Sequence, residues 1–588
     1  MKEYIFDPKR VTYFASTDSR GQKTPFGIRA VDRARHMYVI GKTGMGKSTM
    51  LENMAIQDIQ SGEGMCFIDP HGSTASKLLD YVPEERIKDV VYFAPFDMEY
   101  PLGFNVMEDV GYDKRHLVVA GLMSSFQRIW VDAWSSRMEY ILQNTLLALL
   151  EYPDTTLIDV NKMLVNKSFR KKVVDAVSDP IVKRFWAEEF AGYTDRYTQE
   201  ATPAIQNKIG QFTSNPLVRN IIGQPKSTFD LRKIMDERKI FIVNLSKGRM
   251  GEQNADLLGS ILTTKIYLAA MSRAEASSEE LQHMPPFYFY VDEFQSVVND
   301  SFANILSEAR KYKLCLTIAH QYIEQIEENI RAAVFGNVGT TITFRVGPFD
   351  AEVLKTVFEP TFTAEDLVNL GFAQIYLTLM IDGVGSAPFS ATTLPPMEEP
   401  SISFKNQIIR FSQETYGRSR TEVEKLIAEP QKNSDTQPQK SSNKKDINLN
   451  KRNNKNINKD NKKIIQREKK QKNANPQKNE FQEVKKTPSH KKQPPYEIKS
   501  KQNITNQKRE KDVSNSKKDS LKNAILKLKQ SNQKSPADIL RKKLSKKPEI
   551  ENVSHNNDYV KPSQQSKNKA NLENDDEDII LRKILEDV

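Results

Sequence analysis

Cysteine is nearly missing from this chain: 588 residues hold only Cys66 and Cys315. Both lie in apolar runs, and neither has a partner at a metal-ligand spacing. That excludes a disulfide-stapled secreted scaffold and a thiolate metal centre, and it fits a reducing compartment. The seven histidines are scattered, with no H-x-x-x-H pair and none beside a cysteine, which removes the common zinc patterns. No run of 18 or more apolar residues occurs, so no intrinsic membrane-spanning helix is expected. The start, Met1-Lys2-Glu3-Tyr4, lacks the apolar core of a signal peptide. The expected location is the cytoplasm, or the inner face of a membrane held there through a partner.

Positive charge is also missing where the net value of +11 suggests it. Residues 431–588 carry 40 Lys and Arg against 21 Asp and Glu, whereas residues 1–430 carry 47 against 55. The body is mildly acidic and the excess sits in the tail. A reading as a basic nucleic-acid binder from net charge alone is therefore excluded for the body.

Against these absences stands one dense motif, Gly41-Lys42-Thr43-Gly44-Met45-Gly46-Lys47-Ser48-Thr49. It satisfies the phosphate-cradle pattern G-x-x-x-x-G-K-[ST]. Apolar residues 37–40 precede it as a short buried strand, and Met50, Leu51, Met54, Ala55 and Ile59 follow at helical spacing. Gly41, Gly44 and Gly46 let backbone N–H groups turn toward an anion, and the helix start adds a partial positive charge there. Thr43 and Thr49 flank the cradle. Lys47 is placed to reach the outer phosphates and Ser48 to hold Mg²⁺. The motif predicts binding of a nucleoside triphosphate.

Apolar strand signals recur at 64–69 and 90–93, separated by helical segments, as in a parallel sheet covered on both faces. Residues 4–6 and 11–14 read as short edge strands. Residues 112–230 are helical throughout, with Met138, Ile141, Leu142, Leu146, Leu147 and Leu149 marking one amphipathic face. Strand signals resume at 239–244, 287–291, 314–319, 340–346 and 374–380, and the pattern stops near Pro395-Pro396. The domains expected are 1–110, the first part of the α/β domain with its phosphate loop; 111–230, an all-helical subdomain; 231–405, the second part of the α/β domain; and 406–430, a boundary segment. The Lys/Asn/Gln-rich residues 431–588 cannot bury enough apolar surface to offset ordering and read as a disordered tail. Helical islands at 521–528, 537–544 and 578–585 interrupt it, and the last is read as a docking segment for a protein partner.

The run Tyr288-Phe289-Tyr290-Val291 ends in Asp292-Glu293. A phosphate-loop enzyme needs such a pair on a neighbouring strand: Asp292 to complete the Mg²⁺ shell and Glu293 to polarise the attacking water. Gln321, after Thr317-Ile318-Ala319-His320, is a candidate γ-phosphate sensor, or with His320 caps the following helix. Arg310 is a candidate finger reaching a neighbouring subunit, with Arg345 as the alternative. Asp69 is read as ending a strand next to the first and bordering the Mg²⁺ site, or as capping the helix at Ser73, and His71 as a helix-entry residue. Lys247 and Arg249 read as part of a solvated turn, or, under the resemblance to DNA-pumping ATPases set out next, as sequence-blind phosphate contacts along DNA.

The phosphate loop, Asp69-Pro70-His71-Gly72, the helical insertion, Val291-Asp292-Glu293-Phe294, Glu308-Ala309-Arg310-Lys311-Tyr312 and Ala319-His320-Gln321 occur in that order. In this the chain resembles the HerA/FtsK-like DNA-pumping ATPases, above all the soluble domain of type IV secretion coupling proteins of the TraD/TraG class, over roughly residues 25–400. The resemblance implies an α/β fold: a RecA-like P-loop NTPase with a mostly parallel sheet and an inserted all-helical subdomain. It also implies ATP and Mg²⁺ between adjacent protomers, a homo-hexameric ring around DNA, and Arg310 acting across the interface. Coupling proteins of this class usually carry N-terminal membrane helices, and none is expected here, which points toward a HerA-like role. Two alternatives stay open at this point: a secretion-system ATPase that moves or assembles protein, and a nucleotide-gated scaffold.

Overall fold

The computed structural model describes residues 4–18, 23–299 and 301–432. The expected disordered tail and its islands at 521–528, 537–544 and 578–585 lie outside the described residues. Among the described residues there are thirteen strands: β1 Val11–Thr17, β2 Pro25–Arg29, β3 Met37–Ile40, β4 Gly64–Asp69, β5 Val90–Phe93, β6 Ile240–Asn244 and β7 Phe287–Val291, then β8 Leu314–His320, β9 Thr340–Thr343, β10 Gln374–Thr378, β11 Met380–Ile381, β12 Val384–Gly385 and β13 Phe389–Thr393. Eleven form one sheet in the order β2-β1-β13-β10-β9-β3-β8-β7-β4-β6-β5, and β11 and β12 make a separate ribbon. From β9 to β5 every pairing is parallel. From β2 to β9 every pairing is antiparallel.

Parallel strands need long crossovers that cover both faces, so each strand reads as a continuous apolar run rather than an alternating one. All residues of β3, β4, β6, β7 and β8 are buried. Their side chains divide between two cores. Met65, Phe67, Tyr288 and Tyr290 pack with Met50, Leu51, Met54 and Ile59 of helix Lys47–Gln60. Cys66, Ile68, Phe289 and Val291 pack on the other face with Leu122, Phe126, Leu142, Leu258 and Leu262. That second core is shared by helices Arg115–Ile129 and Ser136–Leu150, which lie in the long connection between β5 and β6, and by helix Glu252–Met271. Helices Arg115–Ile129 and Glu252–Met271 approach so closely that a Cβ on Gly121 would lie 2.3 Å from Thr264 Cγ2.

One polar cluster is sealed inside the first core. The Arg33 guanidinium is 1 % exposed and donates to both carboxylate oxygens of Asp58, at 2.7 and 2.9 Å. It also donates to the Tyr290 hydroxyl at 2.6 Å and stacks 3.7 Å from the Tyr288 ring centroid. The Tyr290 hydroxyl donates to Asp58 at 2.5 Å. A buried charge is tolerated only when its donors and acceptors are met, and here a bidentate carboxylate and a phenol meet most of them. The cluster ties the far end of the phosphate-loop helix to β7.

Several expectations are corrected. Residues 4–6 form no strand. Strands β2 and β13 were not anticipated: β2 opens with a proline and contains Gly27, where a Cβ would sit 2.0 Å from the Thr12 carbonyl oxygen, and β13 reads as polar loop beside the prolines. Strand β4, ending in Asp69, is not next to β3, because β8 and β7 lie between them. Both sheet edges are blunted. At β5 the Tyr92 N–H, which faces outward, donates to Ser412 Oγ at 2.9 Å from helix Lys405–Tyr416. At the other edge, Pro25 supplies no donor and the β1–β2 register slips between Tyr13 and Ala15.

Candidate nucleotide site

The phosphate loop leaves the carboxyl end of β3 and enters helix Lys47–Gln60, with Gly46 (φ 113°) as the N-cap residue. An L side chain at that φ is strained, so glycine is required. Gly41 is required for a second reason: a Cβ there would sit 2.5 Å from the Phe344 Cβ. The Lys42 N–H donates to the Arg345 carbonyl at 2.8 Å, which moors the loop to the chain leaving β9. Lys47 is buried, and its ammonium donates to the Gly41 carbonyl at 2.6 Å and to Lys42 at 3.2 Å. Burial lowers its pKa, and the nearby Asp292 and Glu293 carboxylates resist that shift.

The acid pair stands two strands away. β8 runs between β3 and β7, so Asp292 and Glu293 are not on the strand adjoining the loop. The tips nevertheless converge, because parallel strands in register bring their carboxyl ends to one edge. Ser48 Oγ donates to Asp292 Oδ2 at 2.8 Å. Asp292 is buried, and its carboxyl pKa is raised by burial, with Glu293 and Asp69 adding repulsion and the Ser48 hydrogen bond opposing. A cation at this point would remove that penalty. The hydroxyl and carboxylate fit Mg²⁺, which takes one or two protein oxygens and completes its shell with water and phosphate. Among the described residues no three His, Cys, Asp or Glu gather into a closed metal cage.

Strand β8 delivers the connecting residue. Gln321 accepts a hydrogen bond from Thr43 Oγ1 at 2.8 Å and donates to Glu293 Oε1 at 2.5 Å. One amide thus spans the phosphate loop and the second acid. Glu293 has a left-handed backbone (φ 48°, ψ 47°), which turns the chain sharply after β7. Its other oxygen accepts from the Gln295 side chain. Glu293, Gln295, Gln321, His71 and Lys247 border a cavity of about 340 Å³.

Other candidates have partners of their own. Asp69 accepts from the His71 and Ala75 N–H groups at 2.8 and 2.9 Å, so it organises the turn into the following helix. Lys247 is ion-paired to Asp256 at 2.8 Å and donates to Ser296 at 2.8 Å. The Arg249 guanidinium lies 3.6 Å from the centroid of the Phe96 ring. Arg310 is exposed, and it precedes β8 while the nucleotide cradle follows β3 and β8. About 20 Å of strand separates it from its own site. Arg345 instead sits beside the loop. Sequence reasoning missed Gln295 and its neighbours, although Gln295 stands only two residues beyond the acid pair.

A phosphate loop and an acid pair at the carboxyl edge of a parallel sheet, with one strand between them, define a RecA-like P-loop nucleotide-binding protein. Residues 23–356 match the model of the type IV secretion-system coupling protein DNA-binding domain, and the chain belongs to that family. Among solved structures, the conjugative coupling protein TrwBdeltaN70 in its unbound form is 14 % identical, with a TM-score of 0.48, over 66 % of this chain and 90 % of that one. TrwB in complex with ADP and Mg²⁺ is 14 % identical, TM-score 0.48, over 68 % and 98 %. VirB4 of Thermoanaerobacter pseudethanolicus is 12 % identical, TM-score 0.47, over 67 % and 98 %. The search of curated proteins returned no match. Among the described residues no helix is long and apolar enough to cross a membrane.

Proposed function

We propose that the protein is an ATP-driven DNA translocase of the coupling-protein type, hydrolysing ATP at sites between subunits of a ring. The observation that carries this reading is the junction of Ser48 with Asp292 at 2.8 Å, beside the Thr43–Gln321–Glu293 chain. A protein that only bound nucleotide would have no use for a second acid tied to the loop. Lys47 and the loop N–H groups would hold the phosphates, and Ser48 and Asp292 would hold Mg²⁺. Bound Mg²⁺ neutralises charge that builds on the phosphate oxygens. Glu293 would accept the proton of the attacking water, and Gln321 would report the terminal phosphate to the loop through Thr43. The phosphate cradle around Lys47 and the Ser48–Asp292 pair support ATP and Mg²⁺ as the ligands, and the family description supports DNA as the cargo.

Because Arg310 lies far from its own cradle, it would act on a neighbour's nucleotide; Arg345 is the alternative, acting within the subunit. The test is ATP turnover of the full chain with and without single- and double-stranded DNA, together with the mass of the assembly. The expected outcome is DNA-stimulated hydrolysis by a six-subunit ring. In the same assay Arg310→Ala loses activity, and mixing it with inactive Glu293→Gln subunits restores part of it. Hydrolysis indifferent to DNA would favour a protein-moving ATPase. No restoration on mixing would remove Arg310 from the neighbour's site.

A further inference from the structure

We infer that Gln295 is a positioning residue for the Glu293 carboxylate, and that Arg128, from the helical insertion, holds Gln295 in place. This rests on the reading of Glu293 as the group that takes the water's proton. The Glu293 carboxylate is gripped on both oxygens: Gln321 donates to Oε1 at 2.5 Å and Gln295 donates to Oε2. Each carboxylate oxygen carries two lone pairs, so one hydrogen bond on each fixes the plane of the group and still leaves acceptor capacity for water. Two fixed donors allow one orientation where one donor allows rotation.

The two donors differ in what anchors them. Gln321 follows β8 and is tied to the phosphate loop through Thr43. Gln295 lies in the short 3₁₀ turn Phe294–Ser296. Its carbonyl accepts from the Arg128 guanidinium, at the end of helix Arg115–Ile129. A few residues on, Asn299 Nδ2 donates to Ser125 Oγ of the same helix at 3.1 Å, and to Ser260 and Thr264 at 3.0 Å each. The segment 295–299 is thereby pinned at both ends to the helical insertion. One donor on Glu293 answers to nucleotide and the other to the insertion. Hydrolysis then requires the two parts of the chain to be in register, and a shift of the insertion reaches the acid through a single side chain.

The experiment measures kcat and KM for MgATP, MgADP affinity by calorimetry and the melting temperature, all on the full chain. Gln295→Leu lowers kcat about 10- to 100-fold, the size expected when a reacting group loses its alignment. KM, MgADP affinity and melting temperature stay within about twofold or a few degrees of the parent, which a merely structural role would not allow. Gln295→Asn, whose amide is one methylene short, falls with it and carries the same test if the leucine variant does not fold. Arg128→Gln lowers kcat by a smaller factor, and the double variant is no slower than Gln295→Leu alone, since both act through one contact. Parental kcat in both Gln295 variants overturns the inference, and additive losses in the double variant remove Arg128 from it. Glu293→Gln separates the two levels. If it is inactive while Gln295→Leu is parental, only this inference fails; if Glu293→Gln itself turns over normally, the reading beneath it fails.

Discussion

Strand β7 carries two polar networks at opposite depths, and they use the same chemistry to different ends. At Tyr288 and Tyr290 an arginine, a carboxylate and two phenols are closed off from solvent, and most of their donors and acceptors are satisfied within the cluster. At Asp292 and Glu293, two residues on, the acids are held by neutral donors, Ser48, Gln321 and Gln295, and Glu293 borders a cavity. In the first network charge meets charge and nothing is left to react. In the second, burial raises the carboxyl pKa of Asp292, and the acids keep spare lone pairs. Depth on one strand separates a lock from a site.

The widest separation between the two should come from Glu293→Gln. Removing a general base costs about 10²- to 10⁴-fold in turnover, with nucleotide binding and melting temperature retained; steady-state rates beside calorimetry decide it, and unchanged turnover removes Glu293 from the mechanism. Asp58→Asn should do the reverse. It strands a buried guanidinium and destabilises by about 3–5 kcal/mol in urea unfolding, while KM and kcat of the folded fraction stay near parental. Equal loss of activity and stability would mean that the two networks are one.

Acid should weaken the fold through a third set of groups. Burial depresses His36 to about 4, with the Arg310 charge adding to the effect, and His320 to about 3. An unfolded histidine titrates near 6.5, so between pH 6.5 and 4 the unfolded chain binds more protons and stability falls as pH drops. His36→Asn tolerates the left-handed backbone (φ 65°) and can still accept the Leu316 N–H. It should flatten part of that decline by up to about 3 kcal/mol at pH 4. An unaltered profile of unfolding free energy against pH would exclude His36 as a source.

Much of this was legible in the residues because it is local. The glycines of 41–46, Lys47 and Ser48 announce a cradle by spacing alone, and the apolar runs of β3, β4, β6, β7 and β8 are long enough to read as buried parallel strands. Strand order is not local, so Asp292 was expected one strand too near and Asp69 was placed beside β3. Strands β2 and β13 stayed hidden because Pro25, Gly27 and a run of Ser and Thr carry little strand signal and pair only through distant partners. Gln295 and Arg128 were invisible for the same reason: 167 residues separate them, and neither type is rare enough to notice. The Arg33–Asp58 lock left no trace either, since a charged pair in sequence says nothing of its depth.

The blunted edges of the sheet bear on how copies of this chain can meet. With the outer Tyr92 amide already engaged by Ser412 and a proline at the opposite margin, strand-by-strand stitching into a continuous ribbon is disfavoured at both ends. The proposed ring of subunits would then close through side-chain faces. Contacts of that kind can slide and re-form without unzipping a backbone ladder, as the proposed translocation would require.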